Sequence, residues 1–362
     1  ERKVVELDNL LKATEAIAST LQLDPLLDTI MERGMNVMDA EGCSVLLVDE
    51  KEKKLQFVAA SGAKKEEVKK LSLNIGEGVA GWVAQNDQPL LIEDVSRDDR
   101  FSKRVDEILR QETKSLICVP LKVKDKIIGV MEVINKRGDR IFTQRDMVLF
   151  KPLSAQAAVA IERARLYEDL EDMYISTVKS LAAAIDAKDP YTRGHSERVM
   201  RFSLLIAKEL GLDDKVRKNV QLCALLHDVG KIGVPISVLR KKDKLTDEDW
   251  KLIRRHPVLG AEIISPIRQL DELIPHVRHH HERYDGKGYP DNLKDDEIPL
   301  ISRILAVADT FDALTSERPY RDGLSDKAAL EEIEICKGTQ LDPACADAFL
   351  AGYQKEFVIK EE

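Results

Sequence analysis

Apolar residues in this chain follow two different spacings, one in each half, and no single sheet or helical bundle satisfies both. Up to about residue 136 they come in short strand-like runs: Ser44-Val-Leu-Leu-Val48, Leu55-Gln-Phe-Val58, Pro89-Leu-Leu-Ile92, Leu116-Ile-Cys-Val119 and Ile127-Ile-Gly-Val-Met-Glu-Val133. The charged turn Lys124-Asp-Lys126 between the last two predicts a hairpin. Later the spacing becomes three and four, the period of a helix. It does so over Thr177–Ala187, Ser196–Leu210, Asp214–Leu226, Asp247–Arg255, Gly260–Ser265, Arg303–Leu314 and Lys327–Lys337. Several of these runs stop near Pro190, Gly211, Gly230 or Pro257. The first half therefore reads as α+β and the second as all-α. The length of 362 residues agrees, since roughly 150 residues make one domain.

Thr143 followed by Asp146 resembles a capping box at the start of a long helix. That helix passes through Ala155-Gln-Ala-Ala-Val-Ala160 and on to the region of Leu170 and Met173, and it is the expected mechanical link between the halves. At the other end of the first half, Val4, Leu7, Leu11, Thr14, Ala18 and Leu21 mark a mostly apolar helical stripe. Such a stripe suits either a partner helix or packing within its own domain. Gly76, Gly78 and Gly81 match neither the dinucleotide-binding GxGxxG arrangement nor a phosphate-binding P-loop, so a turn requirement explains them better.

Apolar residues make up 43% and charged residues 33%, which excludes a disordered, collagen-like or disulfide-scaffold chain. A net charge of −9 argues against binding a nucleic-acid polymer. No apolar run approaches the ~20 residues of a membrane span, and no signal-peptide core opens the chain. Cys43, Cys118, Cys223, Cys336 and Cys345 are scattered and odd in number, as core cysteines of a reducing compartment would be. A soluble, cytoplasmic protein is expected. The chain starts at Glu1 rather than Met, so an upstream segment is expected too.

All seven histidines lie between His195 and His281. Histidine is the commonest metal ligand and proton carrier near neutral pH, so the chemistry is expected in the second half. His195, His227-Asp228, His256, His280-His281 and Asp309 fall at helix ends or on otherwise apolar helices. Asp228 follows Leu225-Leu226 and Asp309 follows Ala306-Val-Ala308, so both carboxylates emerge from a core. A carboxylate there must be paired, hydrogen-bonded or metal-bound. Taken singly, each histidine can equally be an ordinary hydrogen-bonded group. Taken together, five imidazoles and two carboxylates suit two borderline divalent metals sharing a bridging carboxylate.

The first half resembles the GAF family. The resemblance rests on Gly76-Glu-Gly-Val-Ala-Gly-Trp-Val83, the Pro89 strand, Asp94-Val95, and Val119-Pro-Leu121 leading to Gly129-Val-Met-Glu-Val-Ile-Asn-Lys136. It implies a sensory and dimerisation domain over residues 1–165, an antiparallel sheet with flanking helices. Such domains either bind a small molecule or act as structural dimerising modules, and no residue here names a ligand.

The second half resembles the HD superfamily of metal-dependent phosphohydrolases through His195-Ser-Glu-Arg-Val199, His227-Asp-Val-Gly-Lys231 and Asp309. It is identified as a member of the HD-GYP branch by His280-His-Glu-Arg-Tyr-Asp-Gly-Lys-Gly-Tyr-Pro290 and Asp189-Pro-Tyr-Thr-Arg-Gly-His195. His256-Pro-Val-Leu-Gly260, the stretch from Ala308 to Arg321, and Gly338-Thr-Gln-Leu-Asp-Pro343 complete the pattern. The resemblance implies an all-α HD-GYP domain over 175–362, joined to the first by a connecting helix over 166–185. It implies a bacterial phosphodiesterase converting cyclic di-GMP to linear pGpG and, with further turnover, GMP, regulated by the GAF domain.

Carried over, the metal ligands are His195, His227, Asp228, His256, His280, His281 and Asp309, with Asp228 bridging two ions, iron or else manganese. Lys231 would sit on the scissile phosphate, and Arg318 and Arg321 would face substrate phosphates. Asp312 would support the metal shell or contact guanine, and Tyr289 in the Gly286, Gly288, Tyr289, Pro290 loop would stack on a base or anchor the loop. That loop is also the expected contact for diguanylate-cyclase-type domains. Tyr191 stands where some members place a third-metal carboxylate, so two metals are expected, with Asp189 and Asp186 as the residues a third would need. A homodimer is expected. Hydrolysis of the mixed GMP–AMP ring, or a silent cyclic-dinucleotide receptor, are the competing expectations.

Overall fold

A computed structural model describes residues 12–13, 15–17, 20, 22–61, 70–103, 106–107, 112–138, 140–188, 194–241, 243–316 and 323–358. The chain divides into two compact units, Glu1–Glu171 and Asp172–Glu362. The apolar stripe from Val4 to Leu21 falls on residues outside that description, as do Asp189, Tyr191, Arg318 and Arg321.

In the first unit, helix α1 (Leu23–Met38) precedes β1 (Ala40–Asp49) and β2 (Lys54–Ala60), followed by β3 (Ser72–Asn74) and helix α2 (Gly78–Asn86). Strands β4 (Leu90–Ile92), β5 (Leu116–Val123) and β6 (Lys126–Lys136) complete a six-stranded sheet of order β3-β2-β1-β6-β5-β4. Neighbouring strands pair antiparallel throughout. The predicted hairpin forms: Val123 pairs with Lys126, and Lys124 takes the positive φ of 54° that a tight turn requires. Two elements carry no strong sequence signal, α1 and the three-residue β3.

Both faces of the sheet are covered. Ile117, Val119, Met131 and Val133 pack with Leu26 and Ile30 of α1 and with Phe150 and Ile161. Leu46, Phe57, Cys118 and Val130 pack with Val79 and Val83 of α2. Alternation along the strands drives this, since successive side chains point to opposite faces. The glycine turn explains itself: Gly76 and Gly78 have φ of 91° and 68°, and a Cβ on Gly81 would lie 2.6 Å from the Asn74 carbonyl oxygen.

Helix α3 (Gln144–Asp186) runs 43 residues, with Pro152 inside it costing one N–H without ending it. The separate helix expected over Thr177–Ala187 is the tail of α3. The second unit is helical: α4 (His195–Glu209), α5 (Asp214–Leu226), α6 (Ile236–Leu239), α7 (Asp247–Ile253), α8 (His256–Ile264), α9 (Ile274–Arg278), α10 (Leu300–Thr315), α11 (Asp326–Ile335) and α12 (Pro343–Tyr353). Its core joins Val199, Ile206, Leu225, Ile304, Phe311 and Phe349. Among the described residues no helix is long and apolar enough to cross a membrane.

Candidate metal centre

Five chain segments deliver the chemistry to one place. His195 is the first residue of α4, reached through Gly194 at φ 72°. His227 closes α5, and Asp228 turns the chain into a 3-10 segment, Val229–Gly233, that carries Lys231. His256 opens α8, His280 and His281 follow α9, and Asp309 and Asp312 lie one turn apart on α10. The close approach of the second and third segments depends on Gly230, where a Cβ would stand 1.9 Å from the His256 carbonyl oxygen. Only glycine lets Asp228 come this near His256.

The ring nitrogens are aimed by the backbone. Nδ1–H of His227, His256 and His280 each donates to the carbonyl three residues back (Ala224, Ile253 and Val277), at 2.7 Å. Nδ1–H of His195 donates to Asp312 Oδ2 at 2.8 Å. With the proton fixed on Nδ1, each neutral ring offers a lone pair at Nε2. These lone pairs converge: Nε2 of His195 and His227 are 3.3 Å apart, and Nε2 of His256 and His280 are 3.2 Å apart. Asp228 lies between the two pairs, with Oδ2 3.6 and 3.5 Å from His195 and His227 and Oδ1 3.3 Å from His256. Asp228 Oδ1 is buried and receives no hydrogen bond. Asp309 Oδ1 stands 3.5 Å from His195 Nε2.

Acceptors facing acceptors at this range repel unless a cation sits among them. Metal–nitrogen bonds of ~2.0–2.1 Å place neighbouring ligand atoms about 3.0–3.4 Å apart, which is the spacing found here. Among the described residues three sets of donor atoms are close enough to hold an ion; two of them, His195–His227–Asp228 and Asp228–His256–His280–His281, share Asp228, and the third is His279–Glu282–Asp291. The residues present therefore fit metal ions.

Charge follows the same pattern. Burial, then the neighbouring His256, pushes His281 down to about 3, and burial holds His227 and His280 below the ordinary histidine value. All three stay unprotonated and able to ligate. His195 moves upward: burial opposes its charge, but Asp312, Asp309 and Asp228 outweigh it. Burial also works against the Asp228 carboxylate, yet Lys231, His227 and His256 hold it well below the usual carboxylate range. Lys231 Nζ donates to Asp228 Oδ2 at 2.5 Å.

Asp312 stands behind His195. It is 1% exposed, and its oxygens accept from His195 Nδ1, from a fork of Arg198 N–H groups and from Ser316. Its bond to Nδ1 orients the His195 ring. Asp186 is likewise engaged, accepting from Ser196 N and Oγ at 3.2 and 2.9 Å beside His195. Tyr289 stacks on His281 with ring centroids 4.9 Å apart. Its loop is drawn tight at Gly288, where a Cβ would lie 2.3 Å from Arg283 N, and Gly286 adopts φ 77°.

One residue here has no local sequence signal. Lys188 spends its ammonium donors on three carbonyls, those of Lys231, Ile232 and Val234, at 3.1, 2.7 and 2.7 Å. It thereby pins the turn that carries Lys231.

All the donor residues but His227 line a cavity of about 770 Å³, on whose surface Lys231 also lies. That volume is in the range of small-molecule sites.

Residues 179–345 match the HD domain family, and residues 20–162 match the GAF domain family. A cyclic di-GMP phosphodiesterase response regulator, RpfG of Xanthomonas campestris, is 41% identical over 203 residues, covering 54% of this chain and 53% of that protein. A 3′3′-cGAMP-specific phosphodiesterase of Vibrio cholerae is 38% identical over 53% of this chain and 42% of its own length. A cyclic di-GMP phosphodiesterase of Thermotoga maritima is 39% identical over 51% of this chain and 50% of its own. The chain thus spans about half the length of these curated relatives. HD-domain phosphohydrolases are metal-dependent, in keeping with the donor sets described above.

Proposed function

We propose, for a chain that belongs to the GAF–HD-GYP family, that its second domain is a metal-dependent phosphodiesterase opening cyclic di-GMP to linear pGpG and, with further turnover, GMP. The observation that carries this is the pair of histidine–carboxylate sets joined through Asp228 on the floor of a nucleotide-sized cavity. When bound, two divalent cations supply activation of water and neutralisation of the charge that builds on the phosphate.

The chain's own residues do the rest. Asp228 presents Oδ2 to His195 and His227 and Oδ1 to His256, the orientation a bridging ligand needs. His195, His227 and Asp309 would hold one ion, and His256, His280 and His281 the other. Asp312 and the three backbone carbonyls fix the rings so that each Nε2 points inward. Lys231, held over Asp228, carries the proton at Nζ that the departing 3′-oxygen requires. Arg318 and Arg321 are assigned to the second phosphate, and Tyr289 to the cavity wall beside His281.

Iron is the metal assigned, with manganese as substitute, since mixed imidazole–carboxylate sets suit both. Two ions are assigned rather than three, because Asp186 is committed to Ser196. The first domain is assigned a regulatory role through a small molecule. The exposed Leu166, Leu170 and Met173 on α3, spaced four and three, favour a homodimer. The Gly286–Pro290 loop is the surface assigned to cyclase-type domains.

The test is metal analysis and product chromatography on one anaerobically purified sample. Two equivalents of iron or manganese with pGpG as product are expected. A metal-loaded protein that turns over no cyclic dinucleotide would favour a receptor instead. One observation supports a second reading: a relative named as 3′3′-cGAMP-specific matches this half at 38% identity. Comparing kcat/KM for the two cyclic dinucleotides decides between them.

A further inference from the structure

We propose that Trp250 is the stacking platform for one purine base of the cyclic dinucleotide, on the wall of the cavity above the metal-ligand floor. The inference rests on the hydrolase reading and adds to it a base subsite.

A base needs a flat apolar face within reach of the floor that takes the phosphates. Trp250 lines the same cavity as Asp228 and Lys231, and on that wall it stands with Val238, Leu239, Leu245 and Ile253. It is nevertheless 44% exposed, although tryptophan has more apolar surface to gain from burial than any other residue. Its helix, α7, buries no residue at all. What holds α7 is its two ends: at the N-terminus Thr246 and Asp249 form a reciprocal capping box and Lys241 donates to Asp249, and at the C-terminus the Ile253 carbonyl accepts from His256 Nδ1–H. The tryptophan is thus presented by a helix fixed at both ends, without being used to glue that helix down.

Tyr289, the other large aromatic on the cavity, is committed to His281 at 4.9 Å and 30°. Among the described residues no ring packs against Trp250. The Arg254 guanidinium stands 5.9 Å from the Trp250 ring and 5.5 Å from the Tyr289 ring, bracing the two across the cavity edge. A base stacked on Trp250 would therefore lie beside the Arg254 cation, an arrangement that suits an electron-rich purine.

The experiment compares Trp250→Ala and Trp250→Phe with the unsubstituted full chain on two diesters, cyclic di-GMP and methyl p-nitrophenyl phosphate, which carries no base. Trp250→Ala is expected to raise KM for cyclic di-GMP about tenfold with kcat within a few-fold. The ratio of kcat/KM for cyclic di-GMP to that for the base-free diester should fall by a similar factor, and Trp250→Phe should restore most of it. An unchanged KM, or equal losses on both diesters, overturns the proposal.

If the unsubstituted protein hydrolyses neither diester, it is the hydrolase reading that fails, and binding still decides the platform. The chain has two tryptophans, so Trp82→Phe leaves Trp250 as the single tryptophan, excited selectively at about 295 nm or above. Quenching of its emission on titration with cyclic di-GMP is expected, and the absence of any change overturns the assignment.

Discussion

Two carboxylates, half-buried Glu132 in the sheet domain and buried Asp228 in the helical one, behave in opposite ways. In the sheet domain, Glu132 of β6 faces Ser44 and Cys118 across neighbouring strands, and Ser44 donates to it at 3.2 Å. Burial is the main influence on it, and nearby Asp106 adds to the effect, so its pKa is raised. In the helical domain Asp228 is buried more deeply, yet its pKa is driven down, because Lys231 and the imidazoles outweigh burial. Burial by itself therefore does not decide the state of an acid. What decides it is whether the fold has also brought positive charge, or ligands for positive charge, to the same place.

The largest expected effect breaks the second half of this comparison. Asp228→Ala removes the one residue common to both donor sets, so metal content by elemental analysis and diesterase activity should both fall to background. Activity that survives would show that the two sets do not act as one centre. Next in size is Lys231→Met, which leaves the ligands in place but takes away the donor over Asp228. Here kcat should fall by about 10²–10⁴ while the metal stays bound.

Lys188→Met should cost less, on the order of tenfold in kcat with metal content and KM little changed, because the turn carrying Lys231 loses a tether rather than a functional group. An effect confined to thermal stability would reduce Lys188 to a structural lysine.

The smallest effect belongs to the sheet domain. A carboxyl whose pKa is higher in the folded state than in the unfolded chain stabilises the fold at low pH and loses that contribution as pH rises through the folded value. The GAF domain of the full chain should therefore melt higher as pH falls from neutral toward the ordinary glutamate range. Glu132→Gln should flatten that dependence and raise the neutral-pH midpoint by a few degrees, equivalent to about 1 kcal/mol. A melting curve indifferent to pH in both proteins would mean that Glu132 has the cationic compensation that Asp228 enjoys.

The two halves also differ in how far they could be read from the text. In the sheet domain the long strands and the Lys124 turn were legible because alternation and turn chemistry are local signals. Helix α1 and strand β3 were not, since β3 owes its existence to pairing with Lys54, Leu55 and Gln56 rather than to its own three residues. In the helical domain the candidate ligands stood out as a set, because histidines and acids at helix ends follow a recognisable order. The partners that aim them were less so. The Asp312 side chain lay on the right helix, but its commitment to His195 and Arg198 depends on α4 and α10 coming together.

What the sequence determined by itself is therefore the inventory: two domains of different periodicity, seven residues able to hold metal, and a lysine three places after the central aspartate. Which way the rings point, that Asp312 accepts from a histidine, that Lys188 grips three carbonyls around Lys231, and that Trp250 is left exposed on a cavity lining were decided only in three dimensions. The physical reason is distance along the chain. Residue type and spacing encode what a segment can do alone, whereas hydrogen-bond direction and exposure depend on neighbours that other segments supply after packing.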